Sequence, residues 1–415
     1  MSGGGTGASR LQAIEMLRVG AMLSVVASHA TVSYMRVPTP EVLWAARDRA
    51  THGVFDTFFW ISGVLLSIFF LVAGFSATAL YDGRGPSAFL RDRGRRLLIP
   101  FLAAVLVILP STFYVWAAGW WLDGRCTLDD IRRVKFAPEI QSQLFGPAHL
   151  WFLEYLIIYS AAYYVIRAAG RWWTIRLRRV PFGVSACEPS ASGKAWPLGW
   201  FVAASTLILL VDVGAVANLH NSFVPAPARF LYHGVFFAAG ALWLSRPGGL
   251  ARFTAWGTTA GRLWLPIFVI AFLLFRRYLT APLTGTERIF VPLAVAGFVW
   301  VSVLSSFGLA QRVSGHGGAR FELLAAAAYW VYLVHLPIVG AIQLLLARQD
   351  GSPFLKFPLV LAITLAVTLW SYRRIVQGSA AAAWCGLTKP LSFRLAESQV
   401  QTVTRVATPV ASPHG

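Results

Sequence analysis

The amino-acid sequence predicts an all-α, polytopic integral membrane bundle of about ten transmembrane helices, with both termini cytoplasmic. Three observations carry that prediction. The 415 residues are 57% hydrophobic and only 13% charged, against about 45–50% apolar and 25% charged in ordinary soluble domains. The mean hydropathy is +0.61. The apolar residues gather into ten stretches, near 14–36, 54–81, 97–121, 148–168, 198–217, 229–246, 262–279, 287–308, 323–346 and 356–376. An α-helix needs about 20 apolar residues to cross hydrocarbon. No segment alternates with period two at barrel-strand length, which excludes a β-barrel.

The elements follow in order. Residues 1–13 read as a polar, Gly-rich cytoplasmic segment. The first apolar run opens with Glu15 and Arg18 and has no small-x-small cleavage site. It is therefore expected to be a spanning helix and not a removed leader. The second run is long enough to tilt or to continue past the membrane. Residues 14–380 form the membrane domain, and residues 381–415 a cytoplasmic tail expected to be disordered. The short loop 82–96 is dense in arginine, and the loop 169–197 is basic and then Pro/Ser/Gly-rich. Cys126, Cys187 and Cys385 are odd in number and form no CxxC, so neither a disulfide framework nor a zinc site is expected.

Charge sets the orientation. There are 36 Lys+Arg against 17 Asp+Glu, a net charge of +19. With the N-terminus in the cytoplasm, 23 of the basic residues fall on the inner side and 13 on the outer. The positive-inside rule favours that arrangement; the expected location is the cell's inner (plasma) membrane. No basic helix or aromatic platform stands apart from the apolar stretches, so no nucleic-acid partner is expected and the bilayer is the expected one.

Ionisable groups within a bilayer are costly and are functional candidates by default. Arg18 and His29 are eleven residues apart. On a helix they fall within roughly 20° of the same face and about 16 Å apart along the axis. Glu15, one turn before Arg18, can pair with it. The ninth stretch carries Tyr329, Tyr332 and His335 at three-residue intervals, followed by Pro337. Pro337 removes a backbone bond and frees the carbonyl of Leu333. Asp56, His149, Asp212 and His233 fall in the outer half, with Glu154 one turn deeper than His149, and together they suggest a polar cavity open to the outside. Arg91, Arg93, Arg95 and Arg96 precede Pro100 at the inner mouth of the third span. Guanidinium forks bind phosphate bidentately. Taken singly, each of these groups also reads as a snorkelling arginine or a satisfied core histidine.

Other motifs fail on context. Gly83-Arg84-Gly85 with Ala88 matches G-x-G-x-x-A but follows a membrane helix, not a strand. There is no HExxH and no His-box cluster, so no metal is expected. His149 to Glu154 has only the spacing of an H-x4-D acid, with Glu in place of Asp.

The ordered set of motifs resembles the acyltransferase 3 family of integral membrane acyltransferases, over residues 10 to 380. The matching segments are Glu15 with Arg18-x10-His29, Phe69-Phe70-Leu71-Val72-Ala73-Gly74-Phe75, and Arg93-x-x-Arg96-Leu97-Leu98-Ile99-Pro100-Phe101. His149-Leu150-Trp151-Phe152-Leu153 and Tyr332-Leu333-Val334-His335-Leu336-Pro337 follow in the family's order. The H-L-W-F-L and R-L-L-I-P-F forms are most similar to the glucan-biosynthesis protein C branch, whose members resemble succinyltransferases of periplasmic glucans. Position 156 is Leu, so the W-S-L-x-x-E pattern of the O-antigen acetylase branch is absent.

The resemblance implies an acyl-CoA-dependent O-acyltransferase. It would move an acyl group, succinyl or acetyl-like, from cytoplasmic acyl-CoA to a hydroxyl of an extracytoplasmic glycan or glycolipid. No permanently bound cofactor is implied; acyl-CoA is a co-substrate. His29 is the candidate base or acyl carrier, and His335 a second catalytic or orienting group. Arg18, Glu15, Arg93, Arg96, His149, Trp151 and Tyr332 are the expected donor- or substrate-binding residues. The competing expectations are a proton-coupled secondary transporter or flippase, which suits ten helices with midplane titratable groups, and a structural subunit of an envelope assembly. Neither an inverted repeat nor many intramembrane acids support the transporter.

Overall fold

A computed structural model describes residues 4–38, 43–141, 143–178, 196–216, 221–246, 248–314 and 318–387. Residues 179–195, which make up most of the loop expected over 169–197 and include Cys187, lie outside the described residues, as does the tail from 388 onward. Among those described, every regular element is helical.

All ten apolar stretches are helices. Helix α1 (Gly4–Thr31) runs on through a 3₁₀ turn to Tyr34. Helices α2 (Gly53–Val64) and α3 (Leu66–Arg84) make one long span broken at Leu65. Gly85, at φ +83°, ends α3, and Pro86 opens α4 (Pro86–Arg93). A π turn, Gly94–Leu98, leads into α5 (Ile99–Leu122). Two short helices, α6 (Leu128–Arg133) and α7 (Pro138–Gln141), follow α5. Thr127 and Asp130 cap α6 reciprocally. The remaining helices are α8 (Trp151–Arg178), α9 (Trp196–Val211), α10 (Pro227–Ala239), α11 (Gly249–Thr280), α12 (Glu287–Val313), α13 (Ala319–Leu346), α14 (Pro353–Ser371) and α15 (Ala380–Trp384). The tail expected from 381 thus begins as part of α15, where the Arg95 guanidinium lies 4.6 Å from the Trp384 ring centre.

Eight of the helical segments are long and apolar enough to cross a membrane; α9 is a shorter apolar helix. Helix α10 carries Arg229 and His233 within its apolar run and continues through a second π turn, Gly240–Leu244. Helix α1 is the hub, packed on α2, α3, α12, α13 and α14. Two thirds of its spanning window is buried, against 17% for α5 and for α11. The outer helices turn apolar side chains such as Leu106, Leu355 and Val165 outward, as a lipid-facing surface requires.

One close approach fixes the bundle around the site. Helix α3 and the α10 segment touch backbone to backbone. A Cβ on Gly74 would stand 2.0 Å from the Phe237 carbonyl oxygen, and one on Gly240 would stand 1.9 Å from that of Leu71. Small residues let helices meet this way where no hydrophobic driving force separates protein from lipid.

Candidate functional site

A basic cavity and a larger chamber lie within the described bundle, and the Arg18–His29 face of α1 serves both. A basic cavity of about 160 Å³ is lined by Arg18, Arg84, Arg93 and Arg96 with Asp92, and by Tyr329 and Tyr332. A far larger chamber of about 1410 Å³ is lined by His29, His149, Trp151, Asp56 and Asp212 among others. Phe69, Phe152 and Tyr332 line both, and so form the wall between them. The end of the molecule that carries Arg84 to Arg96 is called the basic end below, and the opposite one the far end.

At the basic end the α4 helix, its π turn and α5 deliver the arginines in sequence. Arg18 pairs with the buried Glu15 at 2.8 Å. Arg96 pairs with Asp92 at 2.7 Å, one helical turn away. The Tyr329 hydroxyl donates to the Arg96 carbonyl oxygen at 2.7 Å, tying α13 to the π turn. Arg93 lies over the Phe89 ring, and its Nε is buried without a hydrogen-bond partner among the described residues. A guanidinium held with an uncommitted donor beside a cavity is equipped to receive an anion. Arg91 is exposed and lines neither cavity.

Three imidazoles meet beyond the wall. His29 Nδ1 lies 2.9 Å from His335 Nε2. The rings of His149 and His335 stand edge to face at 5.1 Å. Pro337 explains how His149 is seated. It cannot donate to the Leu333 carbonyl, and His149 Nε2 occupies that oxygen at 3.0 Å instead. Tyr332 adds a second tie, its hydroxyl donating to the His149 carbonyl oxygen at 2.8 Å.

The tautomers follow from the acceptors around them. A carbonyl oxygen can only accept, so the nitrogen facing it carries the proton. His335 Nδ1 faces the carbonyls of Tyr332 at 2.8 Å and Val331 at 3.2 Å. A neutral His335 therefore presents a lone pair at Nε2, and His29 Nδ1 donates to it. The unprotonated nitrogen of a neutral His29 is then Nε2, on a ring that lines the large chamber. By the same reasoning His149 keeps its lone pair at Nδ1, which is buried without a partner among the described residues.

The expected site residues are thus divided. Glu15, Arg18, Arg93 and Arg96 gather at the basic end, His29, His149 and Trp151 at the large chamber, and Tyr332 stands between. His335 is fully buried behind His29. Of the outer titratable groups, Asp56, Asp212 and His149 line the chamber. His233 does not; it is buried against Phe70 and Trp151, with neither ring nitrogen partnered among the described residues. Glu154 lines neither cavity. His149 sits in a 3₁₀ turn ahead of α8, so helical spacing does not relate the two. Glu154 itself is roughly 200° around the helix from Phe152, which faces both cavities.

Three residues at the site escaped the sequence reading. Arg84 was visible only as a basic loop residue. Trp44 and Gln343 are uncharged, and a search for ionisable groups passes over both.

The residues from 11 to 373 match the family described as acyltransferase domain, Acyl_transf_3. The chain is 26% identical over 325 residues to the glucans biosynthesis protein C of Salmonella typhimurium and to that of Salmonella agona, covering 75% of this chain and 79% of each relative. The protein of the same name from Salmonella schwarzengrund is 27% identical over the same coverage. No solved structure gives a significant match. With the family's match spanning most of the sequence, and its helices, arginines and histidines arranged about one central helix, this chain belongs to the acyltransferase 3 family of membrane acyltransferases.

Proposed function

We propose that the protein takes an acyl group from cytoplasmic acyl-CoA at its basic end and transfers it to a hydroxyl of an extracytoplasmic glycan or glycolipid in the large chamber. The observation that carries this reading is the pairing of the two cavities through one wall. Arg18 lines one and His29 the other, on a single face of α1, and Phe69, Phe152 and Tyr332 belong to both. Arg18, Arg84, Arg93 and Arg96 suit the phosphates of the donor. The chamber exceeds the about 300–1,000 Å³ of pockets that hold drug-sized ligands, which suits an acceptor of several sugar units. The relatives' printed name, glucans biosynthesis protein C, points the same way.

The chemistry needs a base, because a neutral hydroxyl attacks a thioester poorly. His29 Nε2 removes the proton as the hydroxyl oxygen bonds to the acyl carbon. The carbon–sulfur bond then breaks, and CoA leaves as its thiol with the proton from His29. His335 orients His29 and steadies the transient imidazolium by accepting a charge-assisted bond from Nδ1. If His29 instead carried the acyl group, Nε2 would itself attack the thioester. Rapid quench with labelled donor separates the two routes, since only the second leaves label on His29.

The reading is tested with purified protein in proteoliposomes, succinyl-CoA as donor and a glucan oligosaccharide as acceptor. Wild type forms ester detectable by mass spectrometry and releases CoA. Folded His29→Ala loses at least a hundredfold in rate. Wild-type rate in His29→Ala removes His29 from the mechanism. Solute uptake into vesicles without any acyl donor supports a transporter instead.

A further inference from the structure

We propose that Trp44 and Gln343 are positioning residues that fix the ring of His29, so that Nε2 is held toward the chamber. This rests on the reading of His29 as the reacting imidazole.

A single hydrogen bond from Nδ1 to His335 is a pivot, not a mount. The imidazole can still tilt about it, and Nε2 sweeps an arc as it does. The structure supplies a second constraint from outside the helix. The Trp44 indole lies face to face with the His29 ring, 5.9 Å between centres and 12° between planes. Trp116 meets the same indole edge on at 4.9 Å. Trp44 is held in turn at its one polar atom, Nε1 donating to the Gln343 side-chain oxygen at 2.7 Å.

Gln343 closes the loop. Its Nε2 donates to the carbonyl oxygens of Ala30 at 2.9 Å and His29 at 3.3 Å. These carbonyls belong to the last turn of α1, which has no intrahelical donors for them. One amide thus grips both the backbone that carries His29 and the indole that covers its ring. Gln343 is 1% exposed, and all its hydrogen-bonding groups are engaged. Buried amides left half satisfied are costly, so this one specifies a single arrangement.

The segment bearing Trp44 is itself immobilised. The Leu43 amide donates to Gln143 at 2.5 Å. The Ala45 carbonyl oxygen presses so closely on Gly119 of α5 that a Cβ there would stand 1.9 Å away. The buried Asp48–Lys356 pair, at 2.8 Å, anchors the segment to α14. With its backbone so held, the indole cannot swing aside without breaking its bond to Gln343 and its contact with Trp116. Placement errors of about 1 Å at a reacting atom cost rate in the range of a hundredfold.

The experiment uses the full chain in proteoliposomes with succinyl-CoA and a glucan oligosaccharide, and four variants: Trp44→Phe, Trp44→Leu, Gln343→Leu and the double Trp44→Phe/Gln343→Leu. Trp44→Phe keeps the stack and loses the tether; Trp44→Leu loses both. The expected kcat falls about tenfold in Trp44→Phe and in Gln343→Leu, and about a hundredfold in Trp44→Leu. KM for succinyl-CoA stays within twofold of wild type, and the double variant is no slower than the slower single. The accompanying readout needs no substrate: carbethoxylation of His29 by diethyl pyrocarbonate, followed by peptide mass spectrometry, changes rate at least fivefold, whereas exposed His52 reacts as before. Additive kcat losses, kcat losses matched by an equal rise in KM, or His29 reactivity unchanged in Trp44→Phe would each overturn the proposal. If Gln343→Leu does not fold, the two Trp44 variants decide alone. His29→Ala runs beside them. Full activity in it defeats the assignment of His29, whereas an inactive His29→Ala beside a fully active Trp44→Leu defeats only the positioning role.

Discussion

Replacing Lys356 with methionine strands a carboxylate. Asp48 and Lys356 pair at 2.8 Å, with side-chain exposures of 0% and 7%. Lys356 also donates to the Gln349 carbonyl oxygen, and Asp48 accepts from the Ala50 amide. Methionine keeps most of the apolar stem and removes the charge. Asp48 is then left buried with one amide for company. Removing one partner of a buried pair costs about 3–5 kcal/mol, which is roughly a 10²- to 10⁴-fold change in an opening equilibrium. The stretch after Ala45 can answer by lifting off α14, while Leu43, Trp44 and Ala45 stay held by Gln143, Gln343 and Gly119. The ties it would strain include the Asp48 amide to the Ser33 carbonyl at 2.9 Å and the His52 amide to the Tyr34 carbonyl at 3.0 Å. Hydrogen exchange read by mass spectrometry reports this directly. Protection over residues 45–52 is expected to fall about a hundredfold or more in Lys356→Met, and that of the α13 core to stay as in wild type. The double variant Asp48→Asn/Lys356→Met, with no charge left to bury, recovers most of the protection. Protection within tenfold of wild type in the single variant would refute the reasoning.

Other expectations follow from the same geometry. Gly240→Val forces a side chain into the Leu71 backbone, and the α3–α10 contact must part by more than 1 Å; the variant is expected to lose several kcal/mol, read as a fall of the thermal midpoint in detergent. Arg93→Ala with Arg96→Ala removes two guanidinium donors from the basic cavity; binding of CoA by calorimetry is expected to weaken by about tenfold or more at low salt, with the gap closing as salt rises. His335→Ala leaves His29 Nδ1 without its acceptor; kcat is expected to fall about a hundredfold with CoA affinity unchanged, and equal kcat in the two proteins would contradict the orienting role.

What could be read from the sequence divides along physical lines. Helices were legible because a bilayer imposes one length and one composition on them, and all ten apolar stretches are helical. Arg18 and His29 were legible because they share one rigid helix, where spacing converts directly into geometry. The freed carbonyl of Leu333 was legible in Pro337, but its acceptance of His149 was not; the two are 184 residues apart. Trp44 was beyond reach for a related reason. It lies between helices, where no periodicity gives its direction, and its partner Gln343 comes from α13. The His149–Glu154 spacing carried no geometry, because a 3₁₀ turn, not an α-helix, begins that segment. Arg84 was counted toward topology alone, since a loop arginine and a cavity arginine look the same in one dimension.

The sizes of the two cavities set where selectivity must arise. On the proposed reading the donor carries its phosphates to the basic cavity, whose about 160 Å³ falls below the about 300 Å³ at which pockets begin to engulf drug-sized molecules. The nucleotide part of CoA therefore stays at the mouth, and only the slim thioester arm reaches the wall of Phe69, Phe152 and Tyr332. The wall, not the arginines, then measures the acyl group. Phe152 is wedged between Phe70 at 4.8 Å, Phe69 at 5.3 Å and Tyr332 at 5.6 Å, and truncating it would collapse the partition. Phe69 is only half buried and can be shortened at smaller cost. Phe69→Ala is expected to raise kcat/KM for octanoyl-CoA relative to succinyl-CoA at least tenfold, leaving CoA affinity unchanged. Each methylene a pocket can newly accommodate is worth about 1–3 kcal/mol of discrimination, so an effect of that size is modest for the space released. A ratio that stays at its wild-type value in folded Phe69→Ala would mean that the acyl chain does not pass the wall, and the donor would have to enter from the chamber side instead.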